Sequence, residues 1–396
     1  MGLLLPLVLC ALASSLSARS PPQQVVAPRP PLLLSRGCND SDVLSFADFA
    51  LENINKDRTD GYILRLNRVS DAREQRQDDE PGGSLFYLTL DVLETSCHVL
   101  SRKSWKDCSE RFLGGLVYGQ CKALFYINRP RRVLHTVAYN CTLRPVSRRS
   151  VHMTCPDCPS PVPIDGSNPK VLEAATESLA KYNRESTSKK YSLVEVTQAT
   201  SQGGFGSFYF VEYLIKESPP PCTKSMDSIC VLPSDLPVGL CKGSLVEVHT
   251  KRTVTVSCDF FELQATAPGG ENVAVQTPPP KLPKALETTQ KKAELLDAVS
   301  KTEPKGTVKK LPDLDDERPE QLQDKSPQLR NQSPDEAFPV HLDLTNKPEG
   351  ELLDVSFLFM GPLEEKLLIL PFPSKEQRSA ECPGVAQNEN PLILPL

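Results

Sequence analysis

Residues 118–123, YGQCKA, recur in the second half of the chain as residues 238–243, VGLCKG. Both segments lie in stretches where apolar and polar residues alternate, the pattern of a half-buried β-strand. The cysteines around them recur at a nearly constant offset, with Cys97, Cys121 and Cys141 in the first half and Cys222, Cys241 and Cys258 in the second. Self-similarity of this kind indicates that one structural unit occurs twice.

Each repeat predicts one helix followed by a sheet. In the first repeat, Asp40 or Ser41 can cap a helix whose apolar residues recur at helical spacing up to Ile54. In the second, Asn168 and Pro169 begin a similar helix. Alternating runs follow the helices at residues 62–69, 85–93, 119–127 and 133–143, then at 191–196, 208–215, 238–248 and 253–261. The sequence therefore predicts an α+β fold with two tandem domains, each a helix on a four- to five-stranded antiparallel sheet.

Composition divides the 396-residue chain further. The first residues form an apolar run that ends in small residues, which is typical of a secretory signal peptide. The predicted segments are the signal peptide at 1–18, an extended arm at 19–37, domain 1 at 38–144, a linker at 145–167, domain 2 at 168–263, a disordered Pro/Lys/Glu-rich linker at 264–337 and a C-terminal tail at 338–396. The tail contains the apolar segments FPVHLDL, LLDVSFLFM and KLLILPFP, which are expected to form strands, to bind a partner or to pack on domain 2.

The cysteines predict a disulfide framework. Of the 13 cysteines, Cys10 lies in the predicted signal peptide, which leaves an even number in a secreted chain. The repeat symmetry favours Cys97–Cys108, Cys121–Cys141, Cys222–Cys230 and Cys241–Cys258, with Cys155–Cys158 as a local pair and Cys38–Cys382 as the remainder. Sequons at Asn39, Asn140 and Asn331 predict an extracellular glycoprotein.

Charge and hydropathy narrow the class of protein. A formal net charge of −5 does not favour a nucleic-acid partner. After the signal peptide, no apolar run approaches the roughly 20 residues of a membrane span. The motifs HExxH, GxSxG and the P-loop are missing from the sequence. We therefore expect a secreted monomer that is not an enzyme and has no nucleic-acid or membrane partner.

Residues 153–163, MTCPDCPSPVP, join the two repeats. A disulfide between Cys155 and Cys158 would close a four-residue ring, and Pro156 and Pro159 each push the preceding cysteine into extended geometry. Asp157 would then be displayed on a stiff loop. A zinc site would need a second ligand pair, and a redox motif would need a helix directly after the first cysteine. A structural staple and a rigid display loop both remain as interpretations.

These features carry a family resemblance. One helix, a four-stranded sheet and cysteines spaced C-x10-C and then C-x19-C resemble the cystatin fold. Two such repeats, a lone cysteine at each end and a proline-rich tail resemble the fetuins of blood plasma, a family of the cystatin superfamily. The CPDCP linker is similar to that of the protease-inhibiting branch of the fetuins, as distinct from the mineral-binding branch.

The resemblance implies an inhibitor of astacin-type zinc metalloproteases, including the egg's ovastacin, that prevents premature hardening of the egg coat. In that case Asp157 binds the catalytic zinc of the protease, and the ring residues Cys155, Pro156, Cys158 and Pro159 hold it in place. The protein itself needs no cofactor and no metal ion of its own. Gly204 and Phe205, in the loop 203–206, are candidates for secondary contacts, with an ordinary glycine turn as the alternative.

Two alternative functions depend on particular residues. Cystatin-type inhibition of cysteine proteases is disfavoured because the segment QVVAP, residues 24–28, precedes the helix and ends in proline where cystatins have glycine. The turn at Asn128, Arg129 and Pro130 also lacks the Pro-Trp of those inhibitors. A calcium or mineral carrier would use acids on a strand, such as Asp91 and Glu94.

A basic cluster near the linker could steer an acidic partner or form a solvated strand edge; its members are Arg129, Arg131, Arg132, Arg144, Arg148 and Arg149.

Overall fold

The computed structural model describes residues 33–76, 83–159, 161–187, 189–218, 236–261, 305–314, 338–360, 365–374 and 378–393. The helices are α1 (Ser41–Asp57), α2 (Arg148–Thr154) and α3 (Pro169–Glu185). The strands of the first half are β1 (Leu33–Ser35), β2 (Tyr62–Arg76), β3 (Gly83–His98), β4 (Val117–Asn128) and β5 (Val133–Pro145). Those of the second half are β6 (Val162–Pro163), β7 (Tyr191–Gln202), β8 (Ser207–Glu217), β9 (Gly239–Val248) and β10 (Lys251–Phe260). Three further strands follow, β11 (Lys305–Lys310), β12 (Glu351–Asp354) and β13 (Lys366–Ile369).

Domain 1 is a helix packed on one face of a sheet with strand order β1-β2-β3-β4-β5-β11. Asp40 is the N-cap of α1, because its carboxylate accepts a hydrogen bond of 3.0 Å from the Asp42 amide. The apolar stripe of the helix, including Phe46, Leu51 and Ile54, is buried against the sheet. The hydrophobic periodicity in the sequence thus specified both the helix and its buried face.

Domain 2 repeats this arrangement with strand order β10-β9-β8-β7-β6. Asn168 caps α3 and Pro169 occupies the first turn, where a missing N–H is tolerated. Val171, Ala175 and Leu179 bury the helix against the sheet. The predicted α+β fold of two tandem helix-on-sheet domains is confirmed.

Five disulfides lie within the described residues. Cys121–Cys141 joins two residues that face each other in β4 and β5, and Cys241–Cys258 does the same in β9 and β10. The others are Cys38–Cys382, Cys97–Cys108 and Cys155–Cys158. The expected pair Cys222–Cys230 lies outside the described residues, as do the signal peptide and all but the last residues of the arm.

The expectation of a disordered segment at 264–337 is wrong for residues 305–314. Residues 305–310 form β11, which pairs in parallel with β5 and closes that edge of the domain 1 sheet. Lys310 forms an ion pair of 3.2 Å with Glu94, and the Leu311 amide donates to the Leu143 carbonyl at 2.8 Å. An open sheet edge offers unpaired backbone groups, and these residues satisfy them.

The tail forms the paired strands β12 and β13 and packs on domain 1. Of the three alternatives for the tail, packing on domain 2 is therefore wrong. Val355, Leu367 and Ile369 are buried against the sheet face opposite α1, where they meet the domain 1 residues Leu85, Tyr87, Leu124 and Tyr126. The Leu370 amide donates to the Tyr87 hydroxyl at 2.8 Å. Because this outer face is apolar, covering it removes hydrophobic surface from water.

The two domains meet at a joint built around Tyr62. Its ring is buried with Leu214 and Leu240 of domain 2, and its hydroxyl donates to the Glu212 carboxylate. The Arg111 guanidinium lies 3.8 Å from the centre of the Tyr62 ring and 3.6 Å from the Glu212 carboxylate. This joint fixes the base from which the linker between the domains projects. None of the described helices is long and apolar enough to cross a membrane.

Candidate functional site

The linker begins as the short helix α2 and turns directly into the cysteine ring. Ser147 caps the helix by accepting a 3.3 Å hydrogen bond from the Ser150 amide. The Cys155 amide donates to the Val151 carbonyl at 2.8 Å, and the Cys158 amide donates to the Cys155 carbonyl at 3.1 Å. Backbone hydrogen bonds and the Cys155–Cys158 disulfide therefore define the ring together.

The ring presents its carboxylate to solvent. Asp157, Pro156 and Pro159 are exposed, whereas Cys155 and Cys158 are half-buried. Cys158 packs against an apolar cluster of domain 1 that includes the buried Val151, so the disulfide side of the ring rests on the domain. Among the described residues, no hydrogen bond or ion pair engages the Asp157 carboxylate. The acid is therefore available to an external partner.

Helix α2 is tied to the segment that follows β11. The Asp313 carboxylate accepts from the Arg148 amide at 3.3 Å and pairs with the Arg148 Nε at 3.2 Å. Only 5% of the Asp313 side chain is exposed. A partly buried ion pair in good geometry restrains both partners, so this contact holds the first turn of α2 against domain 1.

On the other side of the ring, Pro159 packs against Gly114. A Cβ atom at Gly114 would lie 2.5 Å from the Pro159 carbonyl oxygen, so only glycine permits this approach. A Cβ at the same position would also lie 3.2 Å from the Phe112 ring. Phe112 is 62% exposed beside the linker. It belongs to none of the sequence motifs that predicted site residues. The signal that could have found it is an isolated aromatic residue in the polar stretch after Cys108.

The β7–β8 hairpin starts beside the linker. Strand β6 pairs with β7 through Val162 and Ser201, two residues before the hairpin loop at 203–206. Gly204 has φ of +152°, and Phe205 is 95% exposed at the tip. The loop is thus a projecting glycine turn near the linker, and its contact with a partner stays a prediction.

The expected basic cluster is split. Arg129, Arg131 and Arg132 lie in the β4–β5 turn, whereas Arg144 and Arg149 lie at or beyond the far end of β5, roughly 40 Å away for a strand of this length. Ion pairs involve Arg129 with Asp42, Arg131 with Glu365 and Arg148 with Asp313. The arginines therefore do not form one basic patch.

The acids considered for calcium binding are paired with other side chains. Asp91 binds Arg68 at 2.6 Å, and Glu94 binds Lys310 at 3.2 Å. Within the described ranges, no three His, Cys, Asp or Glu side chains converge as a metal site requires. The two strand acids named for a mineral carrier, Asp91 and Glu94, are therefore engaged inside the fold.

The remaining predicted positions are distributed as follows. Asn39 is exposed, and Asn140 is half-buried with its amide nitrogen donating to the His341 carbonyl of the tail. Asn331 and the segment 24–28 lie outside the described residues. Trp105 is buried in domain 1, and the β4–β5 turn contains no tryptophan.

Comparisons with known proteins identify the class and the family. The cystatin-domain family profile matches residues 35–124 and 158–266, which makes the chain a tandem-cystatin protein. The chain is 61% identical to human fetuin-B over 397 residues, with 100% of each chain covered. It belongs to the fetuin-B family.

Two solved complexes contain a similar chain. Mouse fetuin-B in complex with crayfish astacin is 52% identical, with a TM-score of 0.70 and coverage of 93% of this chain and 99% of that one. Mouse fetuin-B in its inhibitory complex with human meprin beta is 50% identical, with a TM-score of 0.71 and coverage of 92% and 100%.

Proposed function

We propose that this chain is a secreted inhibitor of astacin-family zinc metalloendopeptidases, and that Asp157 binds the catalytic zinc of the target. One observation carries the proposal: an exposed, unengaged carboxylate stands on a disulfide-closed ring between two domains. The complexes of mouse fetuin-B with crayfish astacin and human meprin beta support this protease family as the target.

The chemistry follows from the coordination of zinc. A catalytic zinc holds three protein ligands and keeps one position for water, and a carboxylate oxygen is an acceptable ligand at about 2.0–2.2 Å. When Asp157 takes that position, the water is displaced, and the protease loses the nucleophile that it would activate. Because the Asp157 carboxylate has no partner among the described residues, no internal contact must break first.

The ring also explains why the inhibitor is not simply cut. A protease cleft binds its substrate in extended form, and four extended residues would place their outer Cα atoms about 10 Å apart. The disulfide holds the Cα atoms of Cys155 and Cys158 at 5.3 Å. Pro156 and Pro159 restrict the backbone further. The ring therefore occupies the cleft without adopting the geometry of a cleavable peptide.

We propose that the protein acts outside the cell, which the disulfides of the described residues support. We further propose an ovastacin-like protease of the egg as the physiological target. Its inhibition would prevent the egg coat from hardening before fertilisation. The support for this finer proposal is the family resemblance of the linker.

The direct test compares Asp157→Ala with Asp165→Ala, an exposed acid of the same linker outside the ring. We expect the inhibition constant against crayfish astacin to rise about 100-fold or more for Asp157→Ala, because a charge-assisted contact is lost. The Asp157→Ala protein should melt at the wild-type temperature. The Asp165→Ala protein should inhibit like wild type, because among the described residues the carboxylate it loses binds only the Ser167 amide and hydroxyl within the linker. Unchanged inhibition by Asp157→Ala would remove the zinc-binding role.

The ring itself is tested by replacing Cys155 and Cys158 with serine. This double variant should inhibit more weakly, because its loop must be ordered during binding. An unchanged inhibition constant would show that the disulfide is incidental. A panel of astacin-type, matrix-type and papain-type proteases then separates the alternatives, since inhibition of papain-type enzymes alone would indicate a conventional cystatin.

A further inference from the structure

Two large apolar side chains are exposed next to the Asp157 ring, Phe112 near Pro159 and Met153 two residues before Cys155. Phe112 is 62% exposed and Met153 is 76% exposed. A single exposed apolar residue is normal on a protein surface, but apolar residues that flank a candidate binding group mark an interaction surface. The fold fixes the backbone at both residues.

Phe112 is held outward by its neighbours on the C-terminal side of the ring. Arg111, the preceding residue, is anchored in the domain joint, where it donates to the Gln198 side chain at 3.0 Å. The Gly115 amide donates to the Phe112 carbonyl at 2.9 Å, which closes a turn. Gly114 packs against both the Phe112 ring and the Pro159 carbonyl. The ring of Phe112 therefore lies beside the residue that follows Cys158.

Met153 is presented on the N-terminal side. It lies in the last turn of α2, two residues before Cys155. Val151 of the same helix is buried against domain 1, and its carbonyl accepts the Cys155 amide. Asp313 holds the other end of the helix through Arg148. Met153 thus projects from a backbone that is fixed at both ends.

We propose that Phe112 and Met153 form, together with Asp157, a three-point docking surface for the active-site cleft of the target protease. This inference rests on the proposed function. The partner that fits is a cleft that crosses a zinc ion and carries apolar subsites on both sides of it. Asp157 binds the metal, while the two apolar side chains cover the flanking subsites and exclude water from the zinc–carboxylate bond.

The fixed backbone at both positions favours affinity. Side chains on an ordered backbone lose less freedom on binding than side chains on a flexible loop. The apolar surface that becomes buried in the complex increases the affinity further. These contacts form after the encounter, so their loss is expected mainly in the dissociation rate.

The experiment measures inhibition of crayfish astacin by the full-length secreted protein and its variants. Phe112→Ser and Met153→Ser should each raise the inhibition constant about 10-fold, which corresponds to the loss of one buried apolar side chain. The double variant should approach a 100-fold rise if the two positions act independently. Phe112→Leu and Met153→Leu keep an apolar surface and should stay within about 3-fold of wild type. Met360→Ser changes a fully exposed methionine of the tail and serves as the matched control.

The outcomes separate this inference from the proposed function. If both serine variants inhibit within twofold of wild type while Asp157→Ala does not inhibit, the docking surface is wrong and the zinc-binding role stands. If the leucine variants lose as much inhibition as the serine variants, apolar contact is not the cause and the inference also fails. If the wild-type protein does not inhibit astacin, both proposals are overturned. Thermal unfolding of each variant shows that the effects are on binding.

Discussion

Domains 1 and 2 share one fold but differ in what covers the outer face of the sheet. In domain 1, Tyr87 pairs with Leu124, three residues after Cys121, and both side chains are 1% exposed beneath the tail. At the equivalent place in domain 2, Phe210 pairs with Ser244, three residues after Cys241, and Phe210 is 40% exposed. Domain 1 therefore has three layers, which are the helix α1, the sheet and the tail. In domain 2, the sheet is covered mainly on one face, by the helix α3.

This difference between the domains affects the support of the Cys155–Cys158 ring. Cys158 packs against the domain 1 cluster, and that cluster contains Ile393 from the end of the tail. The Cys38–Cys382 disulfide fastens the tail to the start of α1. The ring thus rests on the better covered domain, and distant parts of the chain contribute to its support. A rigid base is what a pre-organised inhibitor needs.

Removing the tail should expose the outer sheet face of domain 1, so that neither domain has this face covered by the tail. Truncation after residue 337, in a Cys38→Ser background that leaves no free thiol, uncovers the outer face around Tyr87. We expect the free energy of unfolding of domain 1 to fall by more than about 4 kcal/mol, because several buried apolar side chains lose their contacts. Hydrogen exchange should accelerate in β3 and β4 and stay unchanged in β8 and β9.

A pair of point variants controls for the truncation. Leu367→Ala removes a side chain that is 1% exposed and should lower the free energy of unfolding by about 2–4 kcal/mol. Leu352→Ala, at a position that is 63% exposed, should change it by less than about 0.5 kcal/mol. Equal protection of β3 in the full-length and truncated proteins would contradict this description of domain 1.

The domain joint gives a smaller effect. Arg111→Ala leaves the Glu212 carboxylate with the more exposed Lys242, at 3.5 Å, as its cationic partner and removes the ring contact with Tyr62. We expect the free energy of unfolding to fall by roughly 2 kcal/mol. The two domains should also unfold at urea concentrations that differ more than in the wild-type protein. Lys189→Ala removes an exposed ion pair with Glu217 and should have almost no effect. A single unchanged transition in the Arg111→Ala protein would show that other contacts carry the joint.

The smallest expected effect is on the pH dependence of stability, through His98 at the same joint. His98 is buried and stacks against Phe261, and burial lowers its pKa from 6.5 to about 4. The unfolded chain therefore binds a proton between these pH values that the folded chain does not, so stability is lost as the pH falls through this range. Urea midpoints at pH 7 and pH 5 should differ less for His98→Phe than for wild type. The control variant His341→Phe, at an exposed position, should show the same difference between the urea midpoints as wild type. An identical difference in wild type and both variants would exclude His98 as the cause of the pH dependence.

Local sequence patterns were enough to predict most of each domain. Helical spacing up to Ile54 and capping by Asn168 located the helices, and alternation located the strands. The repeat also indicated the pairs Cys121–Cys141 and Cys241–Cys258, because residues facing each other in neighbouring strands recur with the unit.

Long-range pairing was not predictable in the same way. The segment KGTVKK, residues 305–310, has the composition of a disordered linker, and only the open edge of β5 turns it into a strand. The tail covers domain 1 because that domain has an apolar outer face around Tyr87, a property of the assembled sheet. Within the candidate site, the cysteine and proline pattern predicted that Asp157 is displayed on a closed ring, and it is exposed there. The exposure of Phe112, in contrast, depends on where Arg111 is anchored across the joint.

The proposed function depends on one contact, between the Asp157 carboxylate and the catalytic zinc ion of the target protease. A crystal structure of this chain bound to crayfish astacin measures it directly. We expect an Asp157 carboxylate oxygen about 2.0–2.2 Å from the zinc, in the position that water otherwise occupies. A zinc ion that keeps its water, with the Asp157 carboxylate beyond bonding distance, would exclude the zinc-binding role of Asp157.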